Sequence, residues 1–276
     1  MPDVSELELF KTEQPTPTRR SVGLWIAVVV ILTAALATLL VLVWRRPAAS
    51  PPAAAHTEAA PRPSRGLGGE AEPITLPPLN ESDALVRELV GKISSSPRLA
   101  AWLATDDLIR DFTIGVANVT QGQSATRQLT VLRPSSKFEV IQRGKDIAID
   151  PRSYKRYDGM AAAASSIDPA GIARVYATLK PRIEEAAREL GDPSFDRTLE
   201  RAIVQLLQTP VVEDPILVQT KGIGYGFADP KLEALTPAQK HLLRTGSRNV
   251  RTIKESLRNI ANALGIPADR LPPGTP

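Results

Sequence analysis

Two tyrosines and three basic side chains crowd into the seven residues Arg152 to Asp158, R-S-Y-K-R-Y-D. Tyrosine offers rigid, amphipathic contact area, and arginine offers a planar fork that matches carboxylate or phosphate. Arg152, Tyr154, Lys155, Arg156 and Tyr157 are therefore candidate ligand-binding residues for a glycan, a peptide or an anionic headgroup. The plainer alternative is that Tyr154 and Tyr157 pack beneath a neighbouring hairpin and leave the charges in water. A second constellation is Arg244, Arg248, Arg251, Lys254 and Arg258, spaced 4, 3, 3 and 4. That spacing puts all five on one helical face. It reads as a solvated face or as a stripe for an anionic partner such as phospholipid or cell-wall polymer.

Reaction chemistry is harder to find. The chain has no Cys, which removes thiol nucleophiles, disulfides and zinc-thiolate sites. Its two histidines, His56 and His241, are too few for a multi-histidine metal centre. G-x-S-x-G, a Walker loop and H-E-x-x-H are all missing. The glycines of Lys221 to Gly226, K-G-I-G-Y-G, lack the strand-to-helix setting and the Lys-Ser/Thr of a phosphate loop and read as a tight turn. His241 reads as a surface or satisfied helix residue. The carboxylate pairs Asp106-Asp107 and Glu184-Glu185 read as helix-end and surface acids, whereas a glycosidase needs two acids facing across a cleft. No catalytic residue, metal site or cofactor is expected. The net charge of +4 is too mild for a dedicated nucleic-acid binder.

The elements that must carry these residues are mostly helical. Asn80, with Asp83 three residues on, predicts an N-cap before Leu85, Leu89 and Ile93. Pro97 opens a short helix, and Thr105 is the predicted cap of a third running through Leu108 to Val119. Phe138 and Val140, then Ile147 and Ile149, alternate across Arg143-Gly144-Lys145 as a β-hairpin. Apolar periodicity predicts helices from about Pro169 to Leu190, from Phe195 to Leu207, after Thr236-Pro237, and after Ser247. Ile216 to Val218 suits a short strand. The expectation is a mainly α domain over 79–265 with a small β-hairpin insert, then a disordered tail over 266–276.

Ahead of it lies a different kind of sequence. Val22 to Val43 is 22 residues without a charge, flanked by Arg19-Arg20 and Arg45-Arg46, with Trp25 and Trp44 near its ends. At about 1.5 Å per residue it matches a hydrocarbon core of roughly 30 Å. The layout is a short cytoplasmic tail (1–20), a transmembrane anchor (21–44) and a disordered Pro/Ala-rich linker (45–78). The arginine pairs nearly cancel the positive-inside signal. The order of tail, anchor, spacer and domain places the domain outside the cytoplasm, as in a bacterial inner-membrane signal anchor. Expected partners are membrane lipid through 22–43 and a cell-wall polymer or envelope protein.

LPPLNESDALVREL (76–89), AAWLATDDLIRDF (100–112), RYD (156–158) and YGFADPKLEALTPAQKHLLRTG (225–246), followed by the basic C-terminal helix, together resemble a family of bacterial single-pass proteins, domain of unknown function 3014. The resemblance runs from about Leu76 to Ala263. It implies an envelope protein and carries no reaction, ligand or catalytic residue. The leading reading is a non-enzymatic binding or scaffold protein. The alternatives are a carboxylate-dependent envelope hydrolase and a cytoplasmic-facing anion or nucleic-acid binder using the basic stripe.

Overall fold

The computed structural model describes residues 66–130, 133–134 and 136–274. The predicted tail, the anchor, the spacer as far as 65, and His56 lie outside the described residues. No helix among the described residues is long and apolar enough to cross a membrane. Ten α-helices are described: α1 (Asp83–Gly91), α2 (Pro97–Leu103), α3 (Leu108–Thr120), α4 (Pro151–Lys155), α5 (Asp158–Ser165), α6 (Pro169–Glu189), α7 (Phe195–Leu207), α8 (Pro230–Glu233), α9 (Pro237–Leu243) and α10 (Ser247–Ala263). Four strands accompany them: β1 (Val140–Arg143), β2 (Asp146–Ile149), β3 (Leu217–Lys221) and β4 (Gly224–Phe227). The domain is mainly helical, with a small antiparallel sheet.

The long helices follow their apolar spacing. Asp168 caps α6 by accepting from the N–H groups of Ala170 and Gly171, and Pro169 fills the first helical position. Thr236 and Gln239 form a reciprocal capping box on α9. The predicted starts of α1 and α3 differ from those found. Asn80 lies in a 3-10 turn, Leu79–Glu81, and Ser82 precedes α1. Asp83 instead caps a different helix: its carboxylate accepts from the N–H groups of Asp107 (2.8 Å) and Leu108 (2.9 Å), at the start of α3. Thr105 donates its hydroxyl to Trp102 O and caps nothing. A side chain reaching across two helices satisfies those orphan donors, a tertiary solution invisible to a local capping rule.

The sheet is larger than the single hairpin predicted. Its order is β1-β2-β3-β4, all antiparallel, built from two hairpins with four helices between them in sequence. The second hairpin forms in the glycine-rich K-G-I-G-Y-G segment. Gly222 takes φ 57°, the left-handed conformation a two-residue turn requires. Gly226 makes room for the Glu233 carboxylate, which a Cβ there would meet at 3.3 Å.

Two segments expected to be disordered are part of the domain. Residues 66–78 run across α6 and α7: Leu67 N–H donates to Asp196 (3.1 Å), Glu72 N–H donates to Thr178 (2.9 Å), and Arg182 donates to the carbonyls of Pro77 (2.6 Å) and Leu76 (3.2 Å). Leu67 and Leu76 pack on the helical core. At the other end Ile266 and Leu271 are buried, and Arg258 donates to Pro272 O and Pro273 O. Composition argued for disorder in both places, but a few apolar residues and backbone acceptors suffice once a core is there to dock on.

The interior falls into a large helical core, a small sheet core centred on Ile149, Tyr154, Ile216, Val218, Phe227 and Leu243, and a third cluster where α5, α9 and α10 meet. Residues from Leu79 to Leu271 supply all three, so a fragment spanning 66–276 contains every buried contact described.

Candidate functional site

Each predicted site residue has a definite place. Tyr154 and Tyr157 are 7% and 4% exposed and belong to the core. The Tyr154 hydroxyl accepts from Ile216 N–H (3.3 Å), and Gly246, at φ 88°, lies so close to its ring that a Cβ would approach to 2.7 Å. Burial pushes the Tyr154 hydroxyl above its usual range. Arg156 lies over the rings of Phe138 and Tyr157 and donates to Ser136 O and Ser153 O. Arg152 forks onto Asp150 (2.8 Å) and reaches Glu139 (3.2 Å), holding the Asp150 carboxyl below the usual carboxylate range. Lys155 is exposed. The structure therefore makes this segment a joint between sheet and helices, and its tyrosines offer no surface to a ligand.

The basic stripe is not a free face. Lys254 is 8% exposed and donates to Thr209 O (2.7 Å) beneath α10. Burial lowers its pKa. Arg251 pairs with Glu213, Arg258 is held by the tail carbonyls, and Arg244 lies over the Phe227 ring. Arg248 alone of the five is exposed and makes no ion pair among the described residues. The five do not share one helical face: Arg244 ends α9, before the break at Gly246, and Lys254 turns inward from α10 while Arg248 and Arg251 face out. His241 sits edge-on to Tyr157 (5.8 Å) with its Nε2 buried and unpartnered, and burial beside Arg244 and Arg156 depresses its pKa.

The acids are also committed. Asp83 caps α3. Asp196 accepts from the Tyr176 hydroxyl (2.6 Å), from Lys180 and from Leu67 N–H. Glu189 pairs with Arg110 (2.8 Å). Glu233 accepts from Lys221 (2.6 Å), Phe227 N–H (3.0 Å) and Lys240 (3.4 Å). Asp107, the only non-glycine with positive φ among the described residues, lies before α3 and pairs with Arg110. No group of three or more histidines and acids among the described residues is placed to hold a metal.

Two spaces remain. One is a polar groove of about 560 Å³ between α7 and α9, lined by Gln205, Gln208, Gln239, Arg201 and Arg270 among others. The Gln239 amide is held within the groove: it donates to the backbone carbonyl of Gln205 and accepts from Thr236 N–H. The other is a cavity of about 390 Å³ inside the helical core. Its wall comes from α1, α2, α3, α6, α7 and α10, with Val86, Trp102, Phe112, Ile172, Ile203 and Leu257 as representatives of the six. Trp102 and Tyr176 are the only lining residues with a polar side-chain atom, and the Tyr176 hydroxyl is turned to Asp196. The Trp102 indole N–H is buried without a partner. Gly115, Ala125 and Ala202 are the small residues of the wall.

A void of that size is costly to leave empty. An unfilled apolar space forfeits dispersion contacts along its lining, at about 24 cal/mol per Å³ where it is fully enclosed. Its volume lies at the small end of the roughly 300–1,000 Å³ typical of ligand pockets. The wall carries no titratable group able to do acid–base work, and its one unpartnered hydrogen-bonding atom among the described residues is the Trp102 indole N–H. What it can accept is hydrocarbon. Sequence reasoning missed this site because each helix showed only which face turns inward; the gap depends on how six helices come together in space.

No curated protein and no solved structure matches the chain. One family model does, over residues 108–261, more than half of the 276 residues, from α3 through most of α10. The chain belongs to the family described as Protein of unknown function (DUF3014).

Proposed function

We propose that the chain is a single-pass protein of the bacterial inner membrane, anchored through residues 22–43, whose periplasmic domain is a non-enzymatic binding module for an apolar chain. The observation that carries the binding reading is the cavity of about 390 Å³ with an all but entirely apolar wall. The charge-free run from Val22 to Val43 supports the anchor. A domain tethered beside a bilayer meets lipid acyl chains at high effective concentration, and each methylene moved from water into such a wall contributes about 0.8 kcal/mol.

A fluorescent polyene fatty acid titrated into the 66–276 fragment tests the binding. Saturable one-to-one uptake is expected, with loss of uptake in Ala202→Phe, whose ring fills the space, while the melting temperature holds or rises. Unchanged uptake in a folded Ala202→Phe variant would sink the reading. Orientation has its own test: a phosphatase fused after Pro276 is active if the domain is periplasmic, and an inactive phosphatase with a fluorescent cytoplasmic fusion reverses it.

A further inference from the structure

The two hairpins end together. β2 runs away from its turn and β3 runs toward its own, paired Ile147↔Val218 and Ala148↔Leu217. That register sets the Gly144-Lys145 turn and the Gly222-Ile223 turn side by side at one end of the sheet. Each turn has a glycine of positive φ at its first position, 60° at Gly144 and 57° at Gly222. Such turns accept polar residues at the second position, as Lys145 shows. Ile223 takes the equivalent place in the neighbouring turn and is fully exposed, the most exposed of the large apolar residues among the described residues. Neither turn geometry nor packing calls for isoleucine there. Tyr225, also exposed, follows two residues on in β4, with its ring beside that of Phe138. Around this apolar tip stand Arg143, Lys145 and Lys221, all exposed, with Asp146 the one unpaired acid nearby and Glu233 already bound to Lys221. Arg143 and Lys145 pair with no carboxylate among the described residues.

We infer that this end of the sheet is a contact surface for an anionic bilayer, with Ile223 entering the headgroup region and Arg143 and Lys145 meeting lipid phosphates, while Lys221 stays with Glu233. The inference rests on the anchored reading above, which keeps the domain next to a membrane. An apolar tip ringed by cations is complementary to an anionic interface, where each cation strengthens binding about fivefold, and the salt sensitivity of such contacts follows from screening.

Because the chain contains no cysteine, a single introduced one takes an environment-sensitive dye at one place only. The full chain carrying Ile223→Cys, Leu190→Cys or Ala35→Cys is labelled and placed in nanodiscs of phosphatidylcholine alone or mixed with phosphatidylglycerol. At 223 the emission shifts to the blue and brightens several-fold in the anionic discs, and both changes are lost in high salt and when Arg143→Glu and Lys145→Glu are added. At 190 it stays water-like in both. Water-like emission at 223 in both lipids overturns the inference, and so does a shift that follows protein concentration rather than lipid charge, which would assign the tip to a second copy. The label at 35 reports the anchor separately. The 223 label is read against the same bilayers whichever way that comes out, so the two readings fail independently.

Discussion

The sheet core and the helical core are built from similar aliphatic residues and reach opposite ends. Around the sheet, Ile149, Ile216, Phe227 and Leu243 are each at most 2% exposed, the Tyr154 hydroxyl is anchored to a backbone N–H, and Glu233 binds β3, β4, α8 and α9 together through three donors. In the helical core six helices surround about 390 Å³ that their side chains do not fill. The sheet holds its shape by close packing. The helices hold theirs by caps, ion pairs and the segment 66–78, and so can keep a space open. Packing density distinguishes the part that serves as frame from the part that can receive something.

Truncation should expose that difference most strongly. Phe227→Ala leaves a hole in a filled core and is expected to lower stability by about 4 kcal/mol. Leu257→Ala lines a space that already exists and is partly buried, so it should cost about 1–2 kcal/mol, less than the usual core penalty. Urea unfolding of the two variants measures the gap. Equal costs would mean that the helical core is as filled as the sheet and that the void closes in solution.

The next effect is electrostatic. Hydrogen bonds from Lys221 and from Phe227 N–H hold the Glu233 carboxyl at about 2, against an ordinary 4.5. Glu233→Gln should cost about 1.5 kcal/mol at neutral pH. The sign follows from linkage: with the native pKa depressed, the contribution is complete above about 4.5 and is lost as pH falls from there toward 2. Urea midpoints between pH 6 and 3 should therefore fall more steeply in the parent than in Glu233→Gln. Parallel slopes would remove Glu233 as the fastening of the second hairpin.

A smaller effect sharpens the helical side. Asp83→Ala removes the acceptor that α1 lends to the start of α3 and should cost about 1 kcal/mol. If helices around the cavity depend on such fastenings, the loss should also loosen fatty-acid uptake, whereas a variant of the sheet core with equal stability loss should not.

Legibility in the sequence followed the range of the interactions. The helices from Pro169, from Phe195 and from Ser247, the first hairpin and the turn at Gly222 rest on contacts within a few residues, and each could be read from spacing. What could not be read are arrangements set by distant partners. Asp83 looked like a cap for its own helix and serves another; Lys254 looked like a surface cation and lies on the buried face of α10, bound to Thr209 O; the second hairpin needs β2 beside β3 from about 70 residues away. For Tyr154 and Tyr157 residue type allowed either a ligand surface or packing beneath the hairpin, and the contact is the internal one. The cavity was least legible, since a gap is a property of six helices at once.

The smallest effect lies where the two halves meet. His241 packs edge-on to Tyr157, faces Arg156 and Arg244, and has no partner for Nε2. Burial and the two guanidiniums favour the neutral ring, so its native pKa lies below 6.5. As pH falls below 6.5 the unfolded chain takes up the proton first. Stability therefore rises with pH through this window, is complete above 6.5, and declines below it toward the native pKa. His241→Phe keeps a ring in place and removes both the titration and the unpartnered nitrogen, so it should be neutral or slightly stabilising at pH 7.5. At pH 5.5 the parent should have lost more of its urea midpoint than the variant has. If the two track each other over that range, the ring is protonated without cost, and the junction between sheet and helices is wetter than its buried nitrogen implies.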